Sequence, residues 1–460
     1  MPAPPIVQFE WQGRNAEEPL PSVASSSGPI AVADIDGDGQ LDLFVGGRVI
    51  SGRWPEAPSS RIYRNHAGKW TLDGSNTKAL ENAGLVSSAL FTDLDGDGWP
   101  ELVLACEWGP IRMFRNQNGT LHEETGQCGL AQFTGWWNGV AVGDFDGDGK
   151  LDIVASNWGL NSPYHATEQH PVRIYYGDLS GRGSVDLFEA TFDPELRDWA
   201  PLWIRDVLAS SLVWIAEKYP SYKAYSEASA ESILGERLGR ANRLEANTLS
   251  SMVFLNRGDR FEAMELPPEA QFAPAFAVTV ADFDGDGFED VFLSQNFFAT
   301  EAQVPRLDAG RGLLLRGNGT GKLSAVQGQD SGLLIYGEQR GAAVSDFNED
   351  GRADLVVTQN GAATRLFMNL GAKPGLRVRL QGPPSNPTAV GATVRLRFGD
   401  RLGPAREVHA GSGYLSQDSP VLILGTPEPP TGIIVRWPGG KSTQLPILSG
   451  AKSVTVTTDE

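Results

Sequence analysis

Short apolar runs alternate along this chain with acidic, glycine-rich turns. The stretches ADIDGDGQLDLFV, TDLDGDGWPELVL, GDFDGDGKLDIVA, ADFDGDGFEDVFL and SDFNEDGRADLVV place their first acids at Asp34, Asp93, Asp144, Asp282 and Asp346. A weaker copy, GDLSGRGSVDLFE, runs through Asp178 to Asp186. Each turn is preceded and followed by runs such as Val-Ala-Val or Leu-Phe-Val, whose β-branched and aromatic content predicts the two strands of a hairpin. A further strand follows, at Arg61, Ile111, Val172, Met252, Gly312 and Thr364. Intact copies recur roughly every 50 to 65 residues, the size of one four-stranded propeller blade. The stretch 192–247 departs from this pattern. Trp199, Trp203, Val207, Trp214 and Ile215 fall at helical spacing, with Ile233, Leu234 and Leu238 beyond, and predict a helical insertion whose Trp stripe is packing.

The turn carries the candidate chemistry. Carboxylates at positions 1, 3, 5 and 9 converge only if the backbone turns sharply, which Gly at positions 4 and 6 permits. Calcium takes six to eight oxygens at roughly 2.3–2.6 Å, and position 7 can add a carbonyl. The predicted ligands are Asp34, Asp36, Asp38, Gln40 and Asp42; Asp93, Asp95, Asp97, Trp99 and Glu101; Asp144, Asp146, Asp148, Lys150 and Asp152; Asp282, Asp284, Asp286, Phe288 and Asp290; and Asp346, Asn348, Asp350, Arg352 and Asp354. This gives about five Ca2+ sites. In the copy from Asp178 to Asp186, Ser180 and Arg182 stand at ligand positions and argue against strong binding. An EF-hand opens the same way but needs a Glu at position 12, where this chain has Val45, Leu104, Ala155, Leu293 and Val357.

The net charge is −19, which excludes a nucleic-acid partner, and about five bound divalent ions would offset roughly 10 of those charges. Cys106 and Cys128 are the only cysteines, read as two buried thiols or a single disulfide. No apolar run is long enough to span a bilayer. The opening Met-Pro-Ala-Pro-Pro-Ile shows no secretory signal, which leaves a cytoplasmic chain or one whose leader is processed. Loops of this type bind weakly enough to favour an extracellular or periplasmic setting. Neither H-E-x-x-H nor G-x-S-x-G is present. Arg257-Gly258-Asp259 spells the tripeptide that integrins recognise, but its setting reads as a turn, as do the glycosylation-type triplets at Asn118 and Asn318.

The acidic loops resemble the FG-GAP repeats of integrin α-subunits and the related bacterial VCBS repeats. VGATVRLRFGD from Val390, REVHAGSGYLSQDSP from Arg406 and IIVRWPGGKSTQL from Ile433 look like the ASPIC/UnbV domain. From about Ile30 to about Val454 the chain is similar to the cartilage acidic protein 1 family, with LILGTPEPP after Val421 in place of a longer Phe-Gly-Leu-Gly segment. The expected fold is all-β: an integrin-α-like propeller with a helical insertion and a C-terminal β-sandwich. The resemblance implies seven blades, whereas the acidic hairpins count six. The expected domains are an N-terminal segment 1–29, a propeller 30–373 with its insertion at about 192–247, and a sandwich 374–460 behind a Pro-rich boundary. Tyr414 and Trp437 read as core or interdomain contacts.

In a propeller the acidic loops share one face. The opposite face collects Arg48, Glu107, Trp108, Asn157, Trp158, Asn296, Gln359 and Asn360, joined by Trp136, Trp137 and Arg340. Amides beside exposed Trp suit recognition of a glycan, matrix or protein surface by an exported monomer. The alternatives are an enzyme on this scaffold, such as a polysaccharide lyase or a biosynthetic enzyme, and a purely structural module.

Overall fold

The computed structural model describes Leu20 and residues 24–458. The opening hexapeptide and most of segment 1–29 lie outside the described residues; the first strand already begins at Ser26. The fold is all-β. The acidic repeat produces one local unit throughout: a hairpin closed by pairing the residue before position 1 with position 9. These pairs are Ala33 with Asp42, Thr92 with Glu101, Gly143 with Asp152, Ala281 with Asp290 and Ser345 with Asp354. Gly177 with Asp186 repeats the register in the weaker copy.

Five antiparallel sheets are built on these hairpins. The first comprises Ser26–Ala33, Asp42–Val49, Arg61–His66 and Lys69–Leu72. The second comprises Leu85–Thr92, Glu101–Gly109, Arg112–Gln117 and Thr120–Glu123. The third comprises Gly139–Gly143, Asp152–Ser156, Met252–Asn256 and Phe261–Glu265. The fourth comprises Ala275–Ala281, Asp290–Gln295, Leu313–Arg316 and Ser324–Val326, and the fifth Glu338–Ser345, Asp354–Asn360 and Ala362–Phe367. Their first strands pack in succession from the first sheet to the fifth.

In the second, third and fourth sheets the hairpin strands are buried on both faces and read as continuous apolar runs rather than alternating ones, whereas the first strand of the first sheet and the last strand of the fifth are partly exposed. In the third sheet, Val140, Val142 and Ile153 pack with Leu90 and Val103 of the second. The intervening Ala141 and Val154 pack with Val278, Val280 and Val291 of the fourth.

The sheet count differs from both expected blade numbers. The Asp178 hairpin belongs to a separate sheet, ordered Asp198–Pro201, Asp186–Asp193, Val172–Gly177 and Asn242–Ala246, inserted between the second and third strands of the third sheet. Val172–Gly177 is therefore the first strand of this hairpin, not the third strand of a preceding unit. The predicted helices lie inside the insertion, from Arg205–Ser211 to Ala230–Leu234. Trp199, Trp203 and Trp214 pack against its own core of Phe188, Leu212, Ile215 and Ile233.

Residues beyond the fifth sheet form two further sheets around a common core that includes Val378, Leu396, Val435 and Trp437. In one, Leu376–Gln381 pairs in parallel with Ser453–Thr457; the other is centred on Thr393–Phe398 and Gly432–Arg436. The segment 405–421, whose Arg406–Glu407 still pairs with Thr393–Phe398, runs out of this unit among the first strands of the other five sheets. Val32 donates to the Ala410 carbonyl at 2.8 Å, Gly413 donates to Val140 at 2.8 Å, and Ser419 donates to Val344 at 2.9 Å. Ser88 donates to the Gly413 carbonyl, and Arg406 pairs with Glu289 beside the fourth sheet. Tyr414 meets Phe276 edge-on at 5.3 Å. The segment thus touches the first strands of all five sheets.

Candidate functional site

Each acidic loop is shaped by its own backbone. Asp34 accepts from Gly37 at 2.8 Å and from Gly39 at 2.9 Å, and Asp93 repeats this with Gly96 and Gly98. Positions 4 and 6 need a left-handed backbone, with φ of 72° and 84° at Gly37 and Gly39. In the fifth loop Glu349 takes φ of 61° where the other loops use Gly. The position-9 acid ties the loop to its sheet. Asp42 accepts from Ile35 within the loop and from Asn65 on the third strand, and Glu101, Asp152 and Asp354 are held in the same way. Asp290 takes Phe283 and Gly317.

This folding brings ligand atoms of positions 1, 3 and 9 within 4.8 Å of one another in four loops: Asp34, Asp36 and Asp42; Asp93, Asp95 and Glu101; Asp144, Asp146 and Asp152; Asp282, Asp284 and Asp290. Position 5 stands outside these groups: the Asp38, Asp97, Asp148 and Asp286 carboxylates accept from the position-7 N–H of Gln40, Trp99, Lys150 and Phe288. In the fifth loop Asn348 replaces an acid, Arg377 of the C-terminal unit lies 2.5 Å from Asp346, and Arg352 pairs with Asp350 at 2.8 Å. In the weaker copy Arg182 lies 3.9 Å from Asp186.

The triads are electrostatically loaded. Burial, reinforced by neighbouring acids, pushes Glu101 up to about 9, Asp290 to about 8, Asp152 and Asp282 to about 7, and Asp34 and Asp144 to about 6. Asp144 Oδ1 is buried without a hydrogen-bond partner. Oxygen donors, negative charge and an orphaned carboxylate oxygen fit a hard divalent cation, and these clusters could hold one.

Two repeated contacts escape a reading focused on the loop alone. An Arg on the third strand or just beyond it pairs with the position-3 acid: Arg115 with Asp95, Arg257 with Asp146 and Arg316 with Asp284, each at 2.5 Å. Arg64 pairs instead with Asp42 at 2.9 Å and reaches Asp36 at 3.6 Å. Arg257 of the Arg-Gly-Asp turn is thus engaged inside the protein. A neighbouring Asn then reaches the previous loop: Asn116 donates to Ile35, Asn256 to Leu94 and Asn369 to Phe283. The signal lay in the strand endings RN, NR and MN. The loops also carry the C-terminal unit. Arg436 meets Asp93 at 3.0 Å, Ala405 donates to Asp144 at 2.9 Å, and Gly375 donates to Gly351 at 2.8 Å.

The eleven residues predicted for the other face divide into groups. Arg48 and Trp136 both bond Glu107, at 2.7 Å. Trp136 stacks on Trp158 with centroids 4.1 Å apart and lies 5.6 Å from Trp108. Asn296, Arg340 and Asn360 gather near Glu338, while Gln359 bonds Ala363. The expected exposed Trp face is not formed, since Trp108, Trp137 and Trp158 are all buried; Trp137, Asn157 and Asn296 serve the backbone, donating to Phe133, Thr248 and Gly310. Beside the stacked pair opens a cleft of about 490 Å3 lined by Trp136, Trp158, Tyr164, Glu189, Trp203 and Phe297, among others. The insertion supplies one wall, from Asp186, Leu187 and Glu189 of its sheet and from Trp203, Val207 and Leu208 beyond it. Cys106 and Cys128 are buried free thiols, not a disulfide. Trp437 lies in the C-terminal core. Among the described residues no helix is long and apolar enough to cross a membrane, which says nothing of β-barrels.

These features define an all-β protein that pairs acidic hairpin repeats with a C-terminal β-rich unit. Residues 93–155 match the FG-GAP-like repeat and residues 382–460 match the ASPIC and UnbV family. Among curated proteins the chain is similar to cartilage acidic protein 1. It is 33% identical to the Mus musculus protein over 191 residues, covering 41% of this chain and 25% of that protein. It is 27% identical to the Homo sapiens protein over 348 residues, covering 75% and 39%. The chain thus spans well under half the length of these relatives. Solved structures include an exotype rhamnogalacturonan lyase, with a TM-score of 0.32, 14% identity and coverage of 99% of this chain and 76% of that one. A putative glycosidase from Bacteroides thetaiotaomicron has a TM-score of 0.30, 9% identity and coverage of 76% and 89%. Likeness at that level carries no argument about activity.

Proposed function

We propose that this chain is a calcium-loaded β-propeller, exported from the cytoplasm, that recognises a ligand at the aromatic cleft opposite its acidic loops. The observation that carries the calcium reading is the recurrence of one buried carboxylate triad in four loops with the same register. Calcium suits them because it tolerates irregular, partly carbonyl shells, whereas Mg2+ demands near-ideal octahedral geometry. The fifth loop, with Asn348 and its arginines, is the weaker site. The similarity to cartilage acidic protein 1 supports an extracellular setting, where calcium is plentiful enough to fill loops of this type. Stacked Trp136 and Trp158 and the concave, ring-lined cleft support ligand recognition.

Equilibrium dialysis of chelator-treated protein against calcium, read by atomic emission, tests the first part. At least four ions should bind per chain, and Asp144→Ala should remove one while the others remain. Fewer than two ions, or an unchanged number in the variant, would contradict the proposal.

A further inference from the structure

The cleft between the inserted sheet and the fourth sheet has an unusual charge balance. Five aromatic rings line it: Trp136, Trp158, Tyr164, Trp203 and Phe297. Trp136 and Trp158 are stacked, Phe297 lies 5.0 Å from Trp158, and Tyr164 stands edge-on to Trp136 at 5.6 Å. Three acids join them, Asp186, Glu189 and Glu301, and none of the described lining residues is Lys, Arg or His. Arg182 answers Asp186 at 3.9 Å. Glu189 and Glu301 have no cation within ion-pair distance among the described residues.

Glu189 is only 9% exposed. Its two oxygens accept from the Tyr164 hydroxyl at 3.0 Å and the Trp203 indole at 2.5 Å. Those neutral donors fix the carboxylate at the wall without cancelling its charge, and burial, with Glu301 adding to it, pushes its pKa upward. A buried acid lacking a counter-ion is costly, and a ligand that brings positive charge relieves that cost. A bare metal ion does not fit, because the walls are rings and no set of oxygens converges on a point. An anion is repelled, and a neutral sugar leaves the charge in place. Aromatic faces with carboxylates behind them suit a cation that also carries apolar surface.

We infer that this cleft binds an alkylated organic cation, a methylated or quaternary ammonium group seated among the rings that line it, with Glu189 and Glu301 as its counter-charges. The inference rests on the reading of the cleft as the recognition site and names the class of ligand it takes.

The test is calorimetric titration of the full, calcium-saturated chain with choline chloride and with its neutral carbon isostere 3,3-dimethylbutan-1-ol, at matched ionic strength. Choline should bind saturably and the isostere about tenfold or more weakly. Glu189→Gln and Glu301→Gln should each weaken choline binding, while Glu262→Gln, outside the cleft, should not. Glu301 is exposed, so its variant decides the matter should Glu189→Gln fail to fold. Equal binding of the two probes, or no choline binding at about 50 mM, overturns the inference. Binding of a methyl glycoside in place of choline would also overturn it, yet leave the cleft as a recognition site. Failure of all three probes, with calcium binding intact, would remove the cleft itself.

Discussion

At the residue scale the acids of the loops are held under tension. Glu101 and Asp290 sit at about 9 and 8, and Asp152 and Asp282 at about 7, each raised from the ordinary range by burial first and neighbouring charge second. A raised carboxylate binds its proton more tightly in the folded than in the unfolded chain, so stability is lowest above the folded value and recovers as pH falls through it. His409 is held down to about 4, and so removes stability only as pH falls below its unfolded value of 6.5. The window from about pH 8 to about pH 6.5 therefore isolates the acids. In chelator the urea midpoint should rise as pH falls through that window. In saturating calcium it should stay flat or fall, because protons now compete with the ion. A midpoint that fell in chelator would show that the carboxylates are not strained. The acids themselves were legible in the sequence, since spacing alone defines positions 1, 3 and 9. Position 5 was not separable from them, because its turn toward the position-7 N–H depends on local backbone geometry.

At the element scale the hairpin is the unit, and its repeated register follows from the Gly pair and the closing acid. The hairpin strands of the second, third and fourth sheets were readable as apolar runs because both of their faces are covered. What the sequence hid was the tie between neighbours. Asn256 is buried and donates to Leu94 of the previous loop at 2.7 Å and to Leu151 at 3.2 Å. Asn256→Ala leaves those carbonyls unpaired and should cost about 1–3 kcal/mol, measured by chemical denaturation with calcium present. A loss below about 0.5 kcal/mol would mean that water replaces the amide at no cost. The inserted sheet was hidden for a different reason. The Val172–Gly177 strand has the same composition as a third strand, and only pairing reveals that it opens a hairpin of its own. That nesting matters, because it raises one wall of the aromatic cleft.

For the whole molecule the C-terminal unit is the keystone. Its segment 405–421 bonds or pairs near the first strands of all five sheets, and Arg436, Arg377 and Ala405 reach the acids of three loops. Little of this could be read ahead, because a loop carrying several Gly and Ser residues looks solvent-exposed until its docking site is known. Two outcomes follow. The sheets and the C-terminal unit should unfold in one calorimetric transition, and two resolved transitions would contradict the keystone role. Arg406→Met should cost about 3–5 kcal/mol, since Glu289, only 4% exposed, loses its buried partner. If each site is filled to ten times its dissociation constant, linkage adds about 1.4 kcal/mol per ion. Four such sites would contribute about 6 kcal/mol, on the scale of a whole domain's net stability.

Ion density in a crystal grown with calcium addresses the acidic loops most directly. A calcium anomalous signal should stand among Asp34, Asp36 and Asp42, among Asp93, Asp95 and Glu101, and in the two triads opened by Asp144 and Asp282, with the Asp346 loop filled last. Loops holding only water at millimolar calcium would contradict the reading of these hairpins as cation sites.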